Sequence, residues 1–256
     1  MRTSYETIRV HMRGAVANIQ LYRPDADNAI NDRMIEECTE VLDYCAQQVQ
    51  VVTLEGLPGV FCSGADFHRV SEYHTTGTQA PDIAEPLYAL WERLAEGPYV
   101  TIAHVKGKVN AGGVGFAAAC DMVIADETAQ FSLSEMLFGL FPACVLPFLI
   151  RRVGYQRAHY MTLSTQAITA GQALEWGLAD AGGPDSEHLL RRHLPRLTRL
   201  SKEAIVNYKQ YMSRLRNDIT SARAEAVAAN RRMFADPVIA AHISRYAVTG
   251  QFPWES

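Results

Sequence analysis

Apolar and polar residues come close to alternating at the start of the chain and recur at helical spacing toward its end. Thr7-Ile8-Arg9-Val10-His11-Met12, a turn at Arg13-Gly14, and Ala15-Val16-Ala17-Asn18-Ile19-Gln20-Leu21 predict a half-buried hairpin. Asn31 or Asp32 can cap the next helix, where Ile35, Cys38, Val41, Leu42 and Cys45 return on one face. Gln50-Val51-Val52-Thr53-Leu54 reads as a β-branched buried strand, and Gly56 to Ser63 as a turn-rich exit from the sheet. Residues 71–82 carry no periodicity and are expected to form a mobile surface loop.

The order then repeats. A helix over Ile83 to Ala95 precedes a second β-rich run, Tyr99-Val100-Thr101-Ile102-Ala103-His104-Val105, and a glycine cluster leads into the small-residue helix Phe116-Ala117-Ala118-Ala119-Cys120. Asp121-Met122-Val123-Ile124-Ala125 and Gln130-Phe131-Ser132-Leu133 are two further short strands, so strand, turn, strand, helix occurs at least twice. Beyond Pro147 the pattern turns helical: Ala170 to Trp176 is periodic, Gly177 ends it, and Ala179-Asp180-Ala181 is expected as a last strand. From Pro184 onward nearly everything is helix-compatible, with Ile205, Tyr208, Tyr211, Met212 and Leu215 along one stripe. Such a tail either folds back on its own core or serves an oligomer interface.

Composition sharpens this only in places. At 256 residues and 48% apolar, the chain can bury one full core, which favours one domain with an appendage over two equal domains. We divide it into a core over 1–195 and a helical, oligomer-forming region over 196–256. A net charge of -4 with interspersed Lys and Arg argues against a nucleic-acid surface, and the basic stretch Leu189 to Arg199 reads as a solvated helix face. Cys38, Cys45, Cys62, Cys120 and Cys144 lie among apolar neighbours without a CxxC pair, as in a reduced, cytoplasmic protein. The N-terminus has no apolar leader core and no run reaches membrane-spanning length, so neither secretion nor a membrane span is expected.

Two glycine turns are the local signals of chemistry. Phe61-Cys62-Ser63-Gly64-Ala65-Asp66 follows one strand, and Asn110-Ala111-Gly112-Gly113 follows another and enters a helix. A tight turn that aims two backbone N–H groups at one point, aided by a helix N-terminus, stabilises negative charge developing on a carbonyl oxygen. Gly113-Val114-Gly115-Phe116-Ala117-Ala118 also fits a dinucleotide-binding pattern, but it lies mid-chain, and Asp126 is a better-placed ribose acid than Glu135. The eight histidines show no metal-ligand spacing, Ser63 and Ser134 lack a nucleophile elbow, and Cys144 reads as a small buried hydrophobe. No metal site is expected.

The ordered set Leu21-Tyr22-Arg23-Pro24, Asn28-Ala29-Ile30, Phe61 to Asp66, Ala111-Gly112-Gly113, Ala119-Cys120-Asp121 and Ala129-Gln130-Phe131 to Glu135 resembles the crotonase, or enoyl-CoA hydratase/isomerase, superfamily. Longer strings are similar to the hydratase-like dehydratases of polyketide β-branching cassettes. Among them are Pro86-Leu87-Tyr88-Ala89-Leu90-Trp91, Gly107 to Gly113, Ser132-Leu133-Ser134-Glu135, Phe141 to Phe148 and the terminal Gly250-Gln251-Phe252-Pro253-Trp254-Glu255. The resemblance implies an α/β fold, a crotonase-like spiral of β-β-α turns with a helical C-terminal region, assembled as a trimer or hexamer.

It also implies a site. The oxyanion hole maps to the backbone N–H groups of Ala65 and Gly112, and the catalytic carboxylate to Glu135. The family's other glutamate corresponds to Gly115, so two-carboxylate water activation is not expected. The implied substrate is 3-hydroxy-3-methylglutaryl on the phosphopantetheine arm of an acyl carrier protein, dehydrated to 3-methylglutaconyl, with no cofactor bound by the enzyme itself. The arm would pass Arg23, Ala29 and Cys62, while Asp66, His68, Tyr73, His74, Tyr88, Trp91, Lys108, Asn110 and Cys144 are supporting or acyl-pocket candidates. Decarboxylation of the methylglutaconyl thioester, hydration of a short enoyl-CoA, and a non-catalytic carrier-binding module are the alternatives.

Overall fold

The computed structural model describes every residue except 1, 3, 77, 79, 80, 217 and 256. The alternating N-terminal pattern forms the expected hairpin: β1 (Ile8–Arg13) pairs antiparallel with β2 (Val16–Leu21), Ile8 opposite Leu21. Asn31 caps α1 (Asp32–Gln48), its side chain accepting the Met34 N–H at 2.9 Å. This satisfies one of the donors that a first helical turn leaves unpaired.

Three consecutive strand pairs then build two sheets. In each pair the first strand joins the larger sheet and the second the smaller. β3 (Val51–Glu55) and β4 (Val60–Cys62) are followed by α2 (Phe67–Thr76) and α3 (Ala84–Glu96). β5 (Val100–Val105) and β6 (Lys108–Asn110) lead to α4 (Gly112–Ala119), and β7 (Met122–Asp126) and β8 (Gln130–Ser132) to a 3-10 turn over Glu135–Phe138. Then come α5 (Leu146–Val153), α6 (Tyr155–Ser164), β9 (Ile168–Thr169), α7 (Ala170–Trp176) and β10 (Ala181–Gly183).

The larger sheet runs β1-β2-β3-β5-β7-β10 and is parallel beyond the hairpin; the smaller runs β4-β6-β8-β9, with β9 antiparallel. Every residue of β5 is buried, which is why its sequence shows no regular alternation; the polar Thr101 and His104 are enclosed with the rest, each with a hydrogen-bond partner. This repeated division between two sheets is the expected spiral.

Two expectations need correction. Residues 71–76 are the end of α2 rather than a loop, and 77, 79 and 80 lie outside the described residues. That helix buries only Ser71 and rests Phe67 and Val70 on the C-terminal helices. With His68, Glu72, His74, Thr75 and Thr76 exposed, it has no apolar stripe to read. The last strand begins at Ala181 rather than Ala179, which is buried in the main core and donates its N–H to the Ala173 carbonyl of α7 as the chain leaves that helix.

The C-terminal helices are α8 (Ser186–Leu197), α9 (Lys202–Leu215), α10 (Asp218–Phe234) and α11 (Pro237–Thr249). They fold back on the chain: Ile219, Ala226 and Val227 join the main core, and Ile239 and Ile243 pack with Phe138, Leu140, Phe67 and Val70. Along the α9 stripe only Ile205 is buried, while Tyr208, Tyr211, Met212 and Leu215 are exposed in the single chain. The 195/196 division falls inside α8.

Candidate active site

The parallel small sheet brings the candidate motifs together. Cys62 pairs with Val109, and Asn110 with Ser132, so β4, β6 and β8 all run off the same edge. Ala65 lies three residues past the end of β4, Gly112 two past β6 and Glu135 three past β8. Motifs separated by tens of residues in sequence thus become neighbours through register alone.

The first turn is tied to the chain by a parallel bridge between Ala65 and Ile30. Ile30 N–H donates to the Gly64 carbonyl at 2.7 Å and Asp66 N–H to the Ile30 carbonyl at 3.1 Å. That pattern uses the groups flanking Ala65 and leaves the Ala65 N–H on the opposite side, without an acceptor among the described residues. The second turn is shaped by Ala111, held at φ 51 and ψ -120, a conformation costly for any residue with a Cβ. Its ψ sets the direction of the Gly112 N–H, the first donor of α4 and one that no backbone carbonyl of the helix can reach. Gly64 lets the turns touch: a Cβ there would lie 2.8 Å from Ala111 Cβ and 3.6 Å from Gly112 N.

Asn110 fastens these turns to the third. Its Nδ2 donates to the Ser63 carbonyl at 3.2 Å and to Ser134 Oγ at 2.9 Å, and its Oδ1 accepts from Ser132 Oγ at 2.8 Å. One amide therefore spans all three strand ends. Asp66 caps α2, accepting the Arg69 N–H at 3.2 Å, and pairs with Arg23 Nη2 at 2.9 Å. Arg23 also donates to the Ala29 carbonyl. This guanidinium holds the Phe61–Asp66 turn while bordering a cleft of about 460 Å³ that Tyr22, Pro24, Asn31, Arg33 and Arg69 help to line. Ala29 and Cys62, the other pantetheine candidates, are buried.

Glu135 opens the 3-10 turn. The residue is partly accessible, but its Oε2 is sealed from solvent and has no hydrogen-bond partner among the described residues. Burial pushes its carboxyl up to about 7, and its own backbone N–H offsets only part of that rise. Glu37 provides the contrast. Burial raises its carboxyl too, but hydrogen bonds from Glu6 N–H, Thr7 hydroxyl and Thr7 N–H, with Arg33 nearby, outweigh burial and hold it below its ordinary value. Glu37 is a satisfied structural anion, whereas Glu135 is an unsatisfied acid poised near neutrality, as proton transfer requires.

At Gly115 the side-chain volume is already taken. A Cβ there would fall 2.5 Å from both Cη2 and Cζ2 of Trp91 and 2.9 Å from its Cε2. Trp91 is 1% exposed, set edge-on to Phe116 and Phe148, and its Nε1 has no partner among the described residues. Sequence spacing placed Trp91 on the right helix but gave no sign that its ring fills the space of the absent acid.

Two acyl-pocket candidates are corrected, and a third, Cys144, is the small buried hydrophobe its neighbours predict. The Tyr88 hydroxyl is spent on the Ile219 carbonyl at 2.6 Å in a fully buried setting. Lys108 is exposed at the start of β6, the end away from Gly112. Cys144 is buried, its thiol pushed up to about 12 by burial and pointed at the Ala226 carbonyl, so it is no nucleophile. His68 and His74 are exposed on α2, and the Tyr73 hydroxyl meets Arg69 Nη2 at 2.9 Å. A further contact had no sequence signature: buried His104 Nε2 lies 3.0 Å from Ser186 Oγ. That hydroxyl donates to Asp126 and is therefore a strut rather than a nucleophile. The described residues include no group of three or more side chains able to hold a metal, and no helix long and apolar enough to cross a membrane.

A two-sheet spiral whose small-sheet edge presents paired backbone donors and a buried glutamate defines the crotonase type of enzyme. The Enoyl-CoA hydratase/isomerase family model matches residues 11–256, and the chain belongs to that family. It is 56% identical over 253 residues to the bacillaene synthase dehydratase PksH of Bacillus subtilis, covering 98% of each. The solved structure of a Bacillus subtilis polyketide biosynthesis enoyl-CoA hydratase (pksH) superposes with a TM-score of 0.95 at 56% identity, over 98% of this chain and 100% of that one. Identity to the 2,3-dehydroadipyl-CoA hydratase of Escherichia coli is 32% over 199 residues, 73% of this chain and 76% of the relative.

Proposed function

We propose that the chain dehydrates a 3-hydroxyacyl thioester in polyketide biosynthesis, with 3-hydroxy-3-methylglutaryl on an acyl carrier protein as substrate and the 3-methylglutaconyl thioester as product. The observation that carries this reading is a carboxyl, Glu135, whose Oε2 is sealed from solvent, together with a position, Gly115, that the Trp91 ring closes to a second acid. Likeness to a dehydratase over nearly the whole chain supports the direction and the biosynthetic setting. The thioester oxygen would sit between the N–H groups of Ala65 and Gly112. Ionised Glu135 takes a C2 proton, and the electron pair passes into the enolate. As C2=C3 forms, the C3–O bond breaks and its pair leaves with oxygen, to which Glu135 returns the proton as water departs. Removing one such oxyanion donor typically costs about 3 kcal/mol, so the enolate is what makes abstraction by a carboxylate feasible.

In this reading the phosphopantetheine arm approaches over the Arg23–Ala29 segment and the cleft beside it, and the enzyme requires no cofactor of its own. Self-association as a trimer or hexamer through the C-terminal helices fits the exposed apolar stripe of α9. The test is to give the purified protein the carrier-linked hydroxymethylglutaryl substrate and follow the acyl mass. Loss of one water without carbon dioxide supports the proposal. Loss of carbon dioxide from the methylglutaconyl thioester, or ready hydration of short enoyl-CoA without turnover of this substrate, overturns it. Binding of the carrier without turnover would identify a non-catalytic module instead.

A further inference from the structure

Two complementary polar atoms are buried without partners among the described residues: the Trp91 Nε1–H and Glu135 Oε2. Leaving a buried donor or acceptor unpaired costs roughly 1–3 kcal/mol, so orphans in a native structure call for an explanation. The indole is not a loosely placed core ring. Phe116 and Phe148 hold it edge-on at centroid distances of 5.9 and 5.8 Å. Its Cζ2 lies 3.8 Å from where a Gly112 Cβ would be, and its Cζ2 and Cε2 fill the place of a Gly115 side chain. Nε1 is bonded to Cε2, so the orphan N–H lies on the same side of the indole as Cζ2, the ring atom that comes nearest the Gly112 Cβ position.

We propose that Trp91 is the second polar group of the active site and that its Nε1–H donates a hydrogen bond to the C3 oxygen of the bound thioester. This rests on the dehydratase reading and extends it by assigning what stabilises the departing oxygen. A carboxylate there would repel that oxygen as it gains charge, whereas an indole N–H remains neutral, keeps its proton and accommodates the charge. Glu135 remains the group that moves the proton. The assignment gives Gly115 a cause: the position is empty so that the indole can occupy it.

The test separates C3–O cleavage from C2 deprotonation. Trp91→Phe keeps an aromatic filler and removes the N–H. Dehydration of the hydroxymethylglutaryl thioester is expected to fall roughly 10- to 100-fold in kcat, with KM little changed. The saturated 3-methylglutaryl thioester has no C3 oxygen. Its uptake of solvent deuterium at C2 is expected to stay within about twofold of wild type in Trp91→Phe and to vanish in Glu135→Gln. Dehydration by Trp91→Phe within twofold of wild type would overturn the proposal, leaving the indole as a filler whose N–H holds a resident water. Equal loss of dehydration and deuterium uptake would also overturn it, because the ring would then be acting through the shape of the site. Failure of the wild-type enzyme to dehydrate the substrate sinks the underlying reading as well and is recognisable before any variant is made.

Discussion

Glu135→Gln should make the protein more stable at alkaline pH while destroying its activity. The substitution preserves size and removes only the charge. Glu135 titrates near 7 in the fold against an ordinary value of 4.5, so the folded protein holds this proton more tightly than the unfolded chain does. The group's contribution is therefore complete below pH 4.5 and is lost as pH rises through about 7. At about 1.4 kcal/mol per pKa unit, the ionised carboxylate costs the fold about 3 kcal/mol above that window. Urea unfolding at fixed protein concentration should find the two proteins within about 1 kcal/mol near pH 5, with the variant about 2–3 kcal/mol more stable near pH 8.5. Turnover should fall at least about 100-fold, and wild-type kcat/KM should rise with pH to a plateau above about 7. A variant no more stable than wild type near the alkaline end, or one that keeps its turnover, would refute the argument that burial stores strain in a working base.

Gly115→Ala should destabilise by about 1–3 kcal/mol, because its Cβ meets the Trp91 ring at 2.5 Å, and Trp91→Phe in the same chain should recover part of that loss in urea titrations. Asn110→Ala removes the amide that spans three strand ends; we expect about 2 kcal/mol lost in unfolding and a lower kcat with folded content intact by circular dichroism. Ala111→Gly should hold stability level or raise it by about 1 kcal/mol, since glycine accepts φ 51 and ψ -120 without strain, and a clear loss would contradict the strained turn. Cys144→Ala should leave turnover within about twofold of wild type, measured with the same thioester, because that buried thiol has no part in the chemistry.

Much of the scaffold was legible because local signals and global arrangement agree. The hairpin, α1 with its Asn31 cap, the β-branched runs of β3 and β5, and the Gly177 stop each rest on nearby residues. What escaped depended on contacts made across the chain. α2 has only Phe67, Val70 and Ser71 turned inward, a face too narrow to read until α11 is placed against it. The Asn110 clamp exists only because β6 and β8 align Asn110 with Ser132, and Tyr88 finds its acceptor 131 residues away. Arg23, expected beside the path of the pantetheine arm, is committed to Asp66 and the Ala29 carbonyl, a pairing no spacing rule contains.

Gly115 shows why identity of residue and identity of role come apart. Its lack of a side chain was visible in the sequence, but an absence alone is equally consistent with a damaged site and with a rebuilt one. The distinction lies in what occupies the space. A damaged site would leave a void or water there, and nothing would penalise restoring a side chain. Here the indole of Trp91 fills the volume closely enough that even a methyl group would collide, and it brings a buried N–H that no other described residue uses. Packing this tight is expensive to arrive at by drift, since each intermediate with both a side chain at 115 and the indole in place is overpacked. On the proposal above, the two positions work as one unit: a glycine that leaves room and an indole that fills it with a neutral donor.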